Sequence, residues 1–560
     1  MGRSKKRLEG RTSATPRIGQ DAEQTKSGQG QLRSPADALL SGDVGQAPSH
    51  YQVIEHDWVD TRLPTLGLRG HVDSDSPPCT GWNRFRVEAA RPPGIRARAN
   101  APWYAVAAVC IGAFMGQLNT SIVSFALPTL QHNFDASLGD VTWVGLIYLL
   151  VLAGLVVPLG SFSDMVGRKL LYIYGFIVFI VGSVLCGLAP SLLVLDACRV
   201  IQAVGAAMLQ ANSVAIIALA APPEKLGRAI GIQGTAQALG LAFGTTVGGL
   251  LIALGGWRLI FFVNVPIGVV GTILAYFLVP RSRYLQRPHR FDWRGLALFF
   301  PAIVALMYAV SFGNQTGWVS AGTVGPFLAS VVLLVAFVTR ERRVSVPMLA
   351  LTLFRRVAFS VGITSGLLSY LVLSGTLFVV PFYLERALAL SPGLAGLELA
   401  VMPGALALTA PFAGRVAERL GARPLTVAGM TICAVVLAIL TMGKPAGVGL
   451  LVPLAGIGIG LGLFTPPNNA AIMASAPHDE AGAASGVINM TRSLGTAMGL
   501  AFTSLVFDLG AGVEVQAAGH VVRGFTAAAF FLVVTSLVAA GVGALRGGGE
   551  LEPDAGNAER

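Results

Sequence analysis

Long apolar runs dominate this chain after residue 100 and limit what it can fold into. Most have about 20 residues or more, the length that a helix needs to cross roughly 30 Å of hydrocarbon. Lipid offers no partner for an unpaired N–H or C=O group, so only helices are plausible spans. The sequence therefore predicts an all-α polytopic membrane protein. Fourteen runs are recognised, at residues 103–131, 141–161, 170–189, 191–220, 229–254, 259–280, 295–313, 322–340, 357–383, 392–413, 424–442, 447–474, 484–508 and 522–545.

Composition supports a membrane protein and argues against other classes. Of the 560 residues, 53% are hydrophobic and only 12% are charged, against about 25% charged residues in soluble domains. The net charge of +11 comes from residues spread over the N-terminal tail and alternate loops, so no nucleic-acid partner is expected. The five cysteines and seven histidines show no metal-ligand spacing. No nucleophile elbow or GxxxxGK[ST] loop occurs, which argues against an enzyme and against ATP-driven pumping.

Basic residues follow the even-numbered runs and are scarce after the odd-numbered ones. "RSRYLQRPHRFDWR" (281–294) and "RERR" (340–343) are two of these basic loops. Such asymmetry predicts that both termini are cytoplasmic in a multi-pass protein of the cell membrane. Residues 1–99 are polar and lack periodicity, which predicts a disordered cytoplasmic extension. A true translation start near residues 91–100 is the alternative.

Several motifs recur later in the chain at nearly constant spacing. Gly160, Asp164 and Gly167 recur 254 residues later as Gly414, Glu418 and Gly421. "APPEKLGRAIG" (221–231) recurs 255 residues later as "APHDEAGAASG" (476–486). The repeat predicts two six-helix bundles, at 100–280 and 356–546, with two helices in the linker 281–355 and a short cytoplasmic tail at 547–560. Parallel repeats of this kind are a transporter architecture with a site between the halves.

The segment between the second and third runs concentrates charge at a tight bend. Asp164 and Arg168 could pair there, with Lys169 beside them, and the glycines would let the helices turn and approach. We interpret this segment and its echo as a gate between the halves on the cytoplasmic face. The gate residues are Gly160, Asp164, Gly167, Arg168, Lys169, Gly414, Glu418 and Gly421.

Six short segments match motifs of a known transporter family. They are "LNTSIVSFALPTL" (118–130), "GSFSDMVGRK" (160–169), "LDACRVIQAVGAAM" (195–208), "LGLAFGTTVGGLL" (239–251), "GWRLIFFVNVPIG" (256–268) and "FDWRG" (291–295). Through them, residues 100–546 resemble the major facilitator superfamily and, within it, the fourteen-helix drug:proton antiporter branch (DHA2-type multidrug efflux). The resemblance implies a role for Arg199 and Gln202 in proton transfer or its gating.

Three positions depart from the family pattern. Asn119 stands where relatives usually carry an acid, Thr245 stands where they have proline after Gly244, and Ala203 replaces a glycine. The acid often contributes to cation recognition or coupling in relatives. A preference for cationic drugs and the usual proton route are therefore both in question.

Polar residues within the runs are candidates for proton coupling, because a charge at the bilayer centre costs at least about 2.5–3.5 kcal/mol. Asp196 and Arg199 lie three residues apart, adjacent on one helix face, and could pair. A structural salt bridge near the outer surface is the alternative. Glu398 is proposed to supply the titratable group that Asn119 lacks, with an interfacial glutamate as the alternative. The proton-coupling set is Asp196, Arg199, Gln202 and Glu398.

Other polar residues are candidates for the substrate cavity: Asn119, Gln210, Gln233, Gln237, Asn468, Asn469, Asn489 and Arg492. Arg492 could instead cap carbonyls of the twelfth helix. In the fifth run, Gly240, Gly244 and Gly248, with the adjacent Gly249, make a small-residue stripe. Such a stripe permits close helix approach, either as a sliding contact during transport or as static packing.

The sequence therefore predicts a secondary transporter that needs no cofactor and uses the proton gradient. Its expected partners are a small amphipathic, drug-like substrate and the lipid bilayer, and it is expected to be a monomer that exports by alternating access. Proton-independent movement or uptake of a metabolite is the alternative. A membrane sensor or enzyme is a further one.

Overall fold

Helices are the regular elements of this computed structural model, which describes residues 88, 91–282, 291–345, 347–390, 392–443, 448–512 and 518–546. In those ranges, no strand occurs. The first half contains six spans, with α6 interrupted at Val263. They are α1 (Ala101–Phe134), α2 (Leu138–Val166), α3 (Arg168–Gly187), α4 (Leu192–Ala220), α5 (Leu226–Gly255) and α6 (Leu259–Phe262 and Asn264–Leu278).

Two further helices and a second set of six complete the described chain. They are α7 (Trp293–Thr316), α8 (Ala321–Glu341), α9 (Val357–Phe382), α10 (Pro392–Leu420), α11 (Ala422–Gly443), α12 (Val448–Ser475), α13 (Ala481–Ala511) and α14 (Ala518–Ala544). Short turns of helix connect or extend them at Pro93–Arg96, Pro223–Lys225, Leu351–Arg355, Tyr383–Ala387 and His478–Glu480.

Length and hydropathy identify these helices as membrane spans. Among the described residues, thirteen helices are each long and apolar enough to cross a membrane. Pro223–Gly244 with Thr246–Gly255 makes a fourteenth span, which is bent by 44°. The predicted all-α fold with fourteen spans is therefore confirmed. We call the side where α1 begins and α14 ends the terminal face, and the other side the distal face.

Side-chain caps set the start of three spans. Ser137 accepts a hydrogen bond from the Asp140 N–H (3.1 Å) at the start of α2, and Ser191 accepts one from Val194 (3.4 Å) at the start of α4. Asp292 does the same for the Gly295 N–H at the start of α7 (3.0 Å). These oxygens satisfy amide groups that the first helical turn leaves without an intrahelical partner.

An ion pair at the terminal face joins the two inserted helices. Arg340, near the end of α8, lies 2.6 Å from Asp292, the capping residue of α7. Burial raises the pKa of Asp292, but the hydrogen bonds from Arg340 and Gly295 outweigh it and hold that pKa below its usual range. The pair fixes the two ends of the α7–α8 hairpin together.

The buried core continues across the junction of the two halves at the terminal side. Val156 and Val157 of α2 belong to the same buried cluster as Ala483 and Val487 of α13. A separate cluster lies wholly in the second half and includes Phe464 and Phe525. Because lipid is as apolar as these side chains, packing contacts and small residues hold such helices together.

The predicted N-terminal extension is described only at its end. Residues 1–87, 89 and 90, and the predicted tail 547–560, lie outside the described residues. Glu88 accepts hydrogen bonds from the N–H and hydroxyl of Ser282 (2.5 and 2.9 Å) and from the Leu170 N–H (3.2 Å). Arg91 donates to the carbonyl of Leu278 (2.6 Å). The chain is thus already packed on the terminal face before α1 begins.

Candidate functional site: gate and central cavity

The charged motif predicted as a loop lies mostly on helices. Helix α2 continues to Val166, so Gly160 and Asp164 occupy its last turns, and α3 begins at Arg168. Between them Gly167 has φ +122°, a conformation that favours glycine. Its echo Gly421 has φ +79° and separates α10 from α11 in the same way. The whole bend is therefore one glycine wide.

Asp164 joins the two halves at the terminal face. Its carboxylate accepts hydrogen bonds from the N–H groups of Gly482 (2.8 Å) and Ala483 (2.9 Å) at the start of α13. Arg168 lies 2.6 Å from the same carboxylate and donates to the His478 carbonyl (2.8 Å). A carboxylate at a helix N-terminus is favoured by the free amides and the helix dipole. The predicted Asp164–Arg168 pair thus exists, and it bridges the halves.

Lys169 completes the first turn of α3. It is buried, and its ammonium lies 5.7 Å from the centre of the Tyr276 ring on α6. Both residues of this contact belong to the first half. Lys169 therefore holds α3 against α6, whereas Arg168 contacts the second half.

Backbone contact reinforces the gate on both sides. A Cβ at Gly160 would lie 2.9 Å from the Gly482 carbonyl carbon, and one at Gly486 would lie 2.8 Å from the Val156 carbonyl oxygen. We call this α2–α13 contact seam A. In seam B, between α5 and α10, a Cβ at Gly227 would lie 2.8 Å from the Gly414 carbonyl oxygen. Gly231 packs as closely on Ala410. Each seam leaves no room for a side chain.

The echo of the charged motif differs from the first copy. Glu418 is exposed, and in the described ranges it makes no hydrogen bond or ion pair across seam B, because it lies beyond the closest approach of the helices. Seam B instead contains a hydrogen bond from the Thr235 hydroxyl to the Ala407 carbonyl (2.8 Å). Gly414 thus packs in seam B and Gly421 makes the bend between α10 and α11, whereas Glu418 makes no described bond across the seam.

A cavity of about 200 Å³ lies between the halves on the distal side of the seams. Helices α1, α4 and α5 line it from one half, and α9, α10, α12 and α13 from the other. Its wall is mostly apolar with a set of polar groups: Gln117, Thr120, Gln233, Gln237, Ser369, Tyr370, Ser374, Thr465, Asn469, Asn489, Arg492 and Thr496. A mostly apolar wall with a few polar groups is typical of small-molecule sites.

Arg492 lies on the cavity wall and contacts the first half. It donates a hydrogen bond to the Gln210 side chain, and Asn489 donates to the Gln210 carbonyl (2.8 Å). Both bonds cross between α13 and α4 at mid-height. Among the described residues, Arg492 therefore caps no carbonyl of α12, which was the alternative. The predicted cavity residues Gln233, Gln237, Asn469, Asn489 and Arg492 do meet there, with Gln210 behind them.

Besides Gln210, two further predicted cavity residues are not on the wall. Asn119 is fully buried inside the first half, where it accepts hydrogen bonds from Gln202 (3.3 Å) and Asn264 (3.4 Å). Asn468 is buried inside the second half, where it donates to the Gly362 carbonyl (2.9 Å) and accepts from Arg546 (3.1 Å). A helix turns about 100° per residue, so Asn469 faces the cavity and Asn468 does not.

Arg199 and Gln202 are the centre of a buried network in the first half. Arg199 donates to the Val144 carbonyl (2.9 Å) and to Gln202 (2.5 Å), and its guanidinium lies over the Tyr148 ring at 4.3 Å. Gln202 in turn donates to Ser183 (2.7 Å). The network joins α2, α3 and α4, so it fixes this half as a rigid body.

The pairing of Asp196 with Arg199 does not form. In the described residues no salt bridge joins them, because the guanidinium turns inward to Gln202 while Asp196 is half-buried nearer the distal end of α4. Glu398 is also half-buried, near the distal end of α10, and does not line the cavity. In the described residues, Asp196 and Glu398 each have one buried carboxylate oxygen without a hydrogen-bond partner. Their part in proton coupling stays a prediction.

The small-residue stripe of α5 packs within its own half. A Cβ at Gly240 would lie 2.5 Å from the Phe114 carbonyl, and one at Gly244 would lie 3.2 Å from the Ile122 N–H nitrogen, both on α1. A Cβ at Gly248 or at Gly249 would lie 3.4 Å from the Phe125 ring, which is also on α1. The contact is therefore internal packing of one bundle. The close contacts between halves lie nearer the start of α5, at Gly227 and Gly231.

Comparisons with known proteins agree with this architecture. The family described as Major Facilitator Superfamily matches residues 109–500 and 362–547. The chain is 33% identical to "Riboflavin transporter RibZ" of Clostridioides difficile (strain 630), over 72% of this chain and 88% of that protein. It is 35% identical to "Multidrug resistance protein Stp" of Mycobacterium tuberculosis (strain CDC 1551 / Oshkosh), over 70% of this chain and 73% of that protein.

A solved structure shows the same fold. The proton:xylose symporter XylE bound to 6-bromo-6-deoxy-D-glucose superposes with a TM-score of 0.55 at 16% identity, over 79% of this chain and 95% of that one. At this identity the likeness is one of fold alone. The family model spans most of this chain and both relatives are more than 30% identical to it, so the chain belongs to the major facilitator superfamily and is a multi-pass membrane transporter.

Proposed function

We propose that the chain exports a small amphipathic compound across the cell membrane in exchange for protons, by alternating access. The observation that carries this proposal is the closed seam A. It shuts the terminal face through Asp164, while the cavity lies on its distal side, which is the arrangement of one end state of such a cycle. The name of the relative Stp, a multidrug resistance protein, supports export of drug-like compounds.

Orientation follows from charge. The Lys/Arg-rich loops lie on the terminal face, which by the positive-inside rule is cytoplasmic, so both termini are inside. The described state then faces outward. No cofactor is needed, because an inward proton gradient supplies the energy. Asp196 and Glu398 are the carboxylates that we assign to proton coupling, and Arg199 and Gln202 gate it.

Uptake or uniport of a metabolite is a second candidate. It is favoured by Asn119, a neutral residue where the resemblance implies an acid, and by the relative named as a riboflavin transporter. A uniporter moves its substrate at a rate that an imposed pH gradient leaves unchanged. An antiporter moves it against a concentration gradient only when protons run the other way.

Everted membrane vesicles separate the two candidates. A susceptibility panel on cells with and without the protein first identifies a compound, and its uptake into vesicles is then followed with an imposed inside-acid gradient. Antiport predicts accumulation that a protonophore abolishes and that drives measurable proton efflux from the vesicles. The double variant Asp196→Asn/Glu398→Gln should retain binding and lose this coupling. Gradient-independent equilibration in the parent protein would favour the uniport candidate.

A further inference from the structure

The central cavity carries positive charge and no negative charge. All of its lining residues are in the described part of the chain, and among them Arg492 is charged, whereas no aspartate or glutamate occurs. The remaining polar groups are amides, hydroxyls and the Tyr370 phenol. A cationic compound would therefore meet a like charge in this cavity and find no carboxylate.

Arg492 also lacks an acidic partner within the described residues. It donates a hydrogen bond to the neutral Gln210 side chain, and no described ion pair includes it. Three other arginines are buried in the described chain, and all have partners; Arg546 donates to the Asn468 side chain (3.1 Å). Arg168 is paired with Asp164, and Arg199 is bonded to Gln202 and to the Val144 carbonyl over an aromatic ring.

A second donor faces the same space. Gln233 lines the cavity and is 2% exposed, and its amide nitrogen has no hydrogen-bond partner among the described residues. A buried donor left without a partner is costly, as is a cation at membrane depth without a counter-charge. Both costs fall when a negatively charged or acceptor-rich group enters the cavity.

We propose that the substrate is an organic anion: an apolar body that carries one carboxylate or phenolate. The anionic group docks on Arg492 with Gln233 as a further donor, and the apolar body packs on the leucines and Tyr370 of the wall. This inference rests on the proposed export function, because it names the compound class that the same cavity takes. The Asn119 position does not bear on it, since Asn119 lies inside the first half.

A matched set of three naphthalene compounds tests the proposal on the full-length purified protein. 1-Naphthylacetate is an anion, 1-naphthylacetamide is neutral and 2-(1-naphthyl)ethylamine is a cation, with nearly the same shape. Equilibrium dialysis should show the anion bound about tenfold more tightly than the amide, as one charge-assisted hydrogen bond implies, and the amine bound most weakly. Equal or tighter binding of the amine, or no saturable binding of the anion, overturns the proposal.

Variants assign the preference to Arg492. Arg492→Gln should make the acid and the amide bind alike, and Arg492→Lys should keep the order of the three compounds. Arg419→Gln, the same change at an exposed position on α10, is the matched control and should bind as the parent does. If Arg492→Gln does not fold, the order of affinity for the three compounds, measured in the parent and in Arg492→Lys, decides whether the proposal holds. An unchanged preference in folded Arg492→Gln also overturns the proposal.

The outcomes distinguish this inference from the export function. Anion-selective binding without any gradient-driven flux would sink proton antiport and leave the anion site standing. Gradient-driven export of cations at a rate that Arg492→Gln leaves unchanged would overturn the anion site and support proton antiport.

Discussion

The two seams between the halves are built alike and closed differently. Seam A joins α2 to α13 and seam B joins α10 to α5, and the sequence repeat exchanges one for the other: Gly160 and Gly482 correspond to Gly414 and Gly227. Both use glycine so that two helix backbones touch. Only seam A adds charge, through Asp164 and Arg168, whereas Glu418 is exposed and the counterpart of Arg168 is Ala422.

The difference indicates that the two seams have different roles in the proposed transport cycle. Among the described residues, seam B makes apolar and backbone contacts and one hydrogen bond from the Thr235 hydroxyl, and these contacts can shift with little change in energy. In the proposed cycle, opening of the terminal face breaks the buried charged hydrogen bonds of seam A. These bonds therefore set most of the barrier to opening. Breaking a buried pair by removing one partner costs about 3–5 kcal/mol.

The largest effect is expected from Asp164→Asn. The change leaves Arg168 buried without its counter-charge and weakens two bonds to α13, so the closed state should lose about 3 kcal/mol, a factor of roughly 100 in population. Transport should fall by about the same factor. The measurement is substrate flux in vesicles, together with labelling of single cysteines near the seam from the terminal side, which should increase.

Glu418→Gln is the control for this variant at the matching position of the repeat. Because Glu418 is exposed and has no described bond across seam B, flux should stay within about twofold of the parent, as for a surface charge. Equal losses from both changes would show that the seams are not different after all.

A tenfold effect is expected from a side chain at either glycine seam. Gly160→Leu would force a Cβ to 2.9 Å from the Gly482 carbonyl carbon, and Gly414→Leu would force one to 2.7 Å from the Arg228 nitrogen. Overpacking costs about 1–3 kcal/mol, so transport should fall at least about tenfold in both variants. Flux and the yield of inserted, monodisperse protein are measured together.

Gly404→Leu serves as the control on α10, because nothing lies within 4 Å of a Cβ there. It should transport normally. If Gly160→Leu lost activity and Gly414→Leu did not, seam B would not need to close during the cycle.

The repeat could be recognised from sequence, and it predicts most of the gate. It identifies the echoed glycines and the acid of each copy, and it contains Gly227 and Gly231, four residues apart, within "GRAIG". Sequence could not show that Asp164 is buried and Glu418 exposed. That depends on how far each helix extends past the crossing point of the halves.

Cavity residues were harder to predict than gate residues. A polar residue in a span can face the central cavity or the interior of its own bundle, and both environments select for amides. Asn119 and Asn468 satisfy their amides inside a bundle, whereas Gln233 and Asn469 line the cavity. One helix alone does not reveal its rotation, so the neighbours that define each face have to be known.

The smallest effect is expected from building the missing charge into seam B. The double variant Glu418→Asp/Ala422→Arg copies the acid and base of seam A onto α10 and α11. The new pair would be partly exposed, worth about 0.2–1 kcal/mol, and should slow turnover by up to about fivefold while raising the thermal midpoint slightly. Glu418→Gln/Ala422→Arg supplies the cation without the acid, and it should turn over as the parent does. Faster turnover in the charged double variant would mean that charge at this seam favours the open state, and that the asymmetry between the seams does not set the barrier.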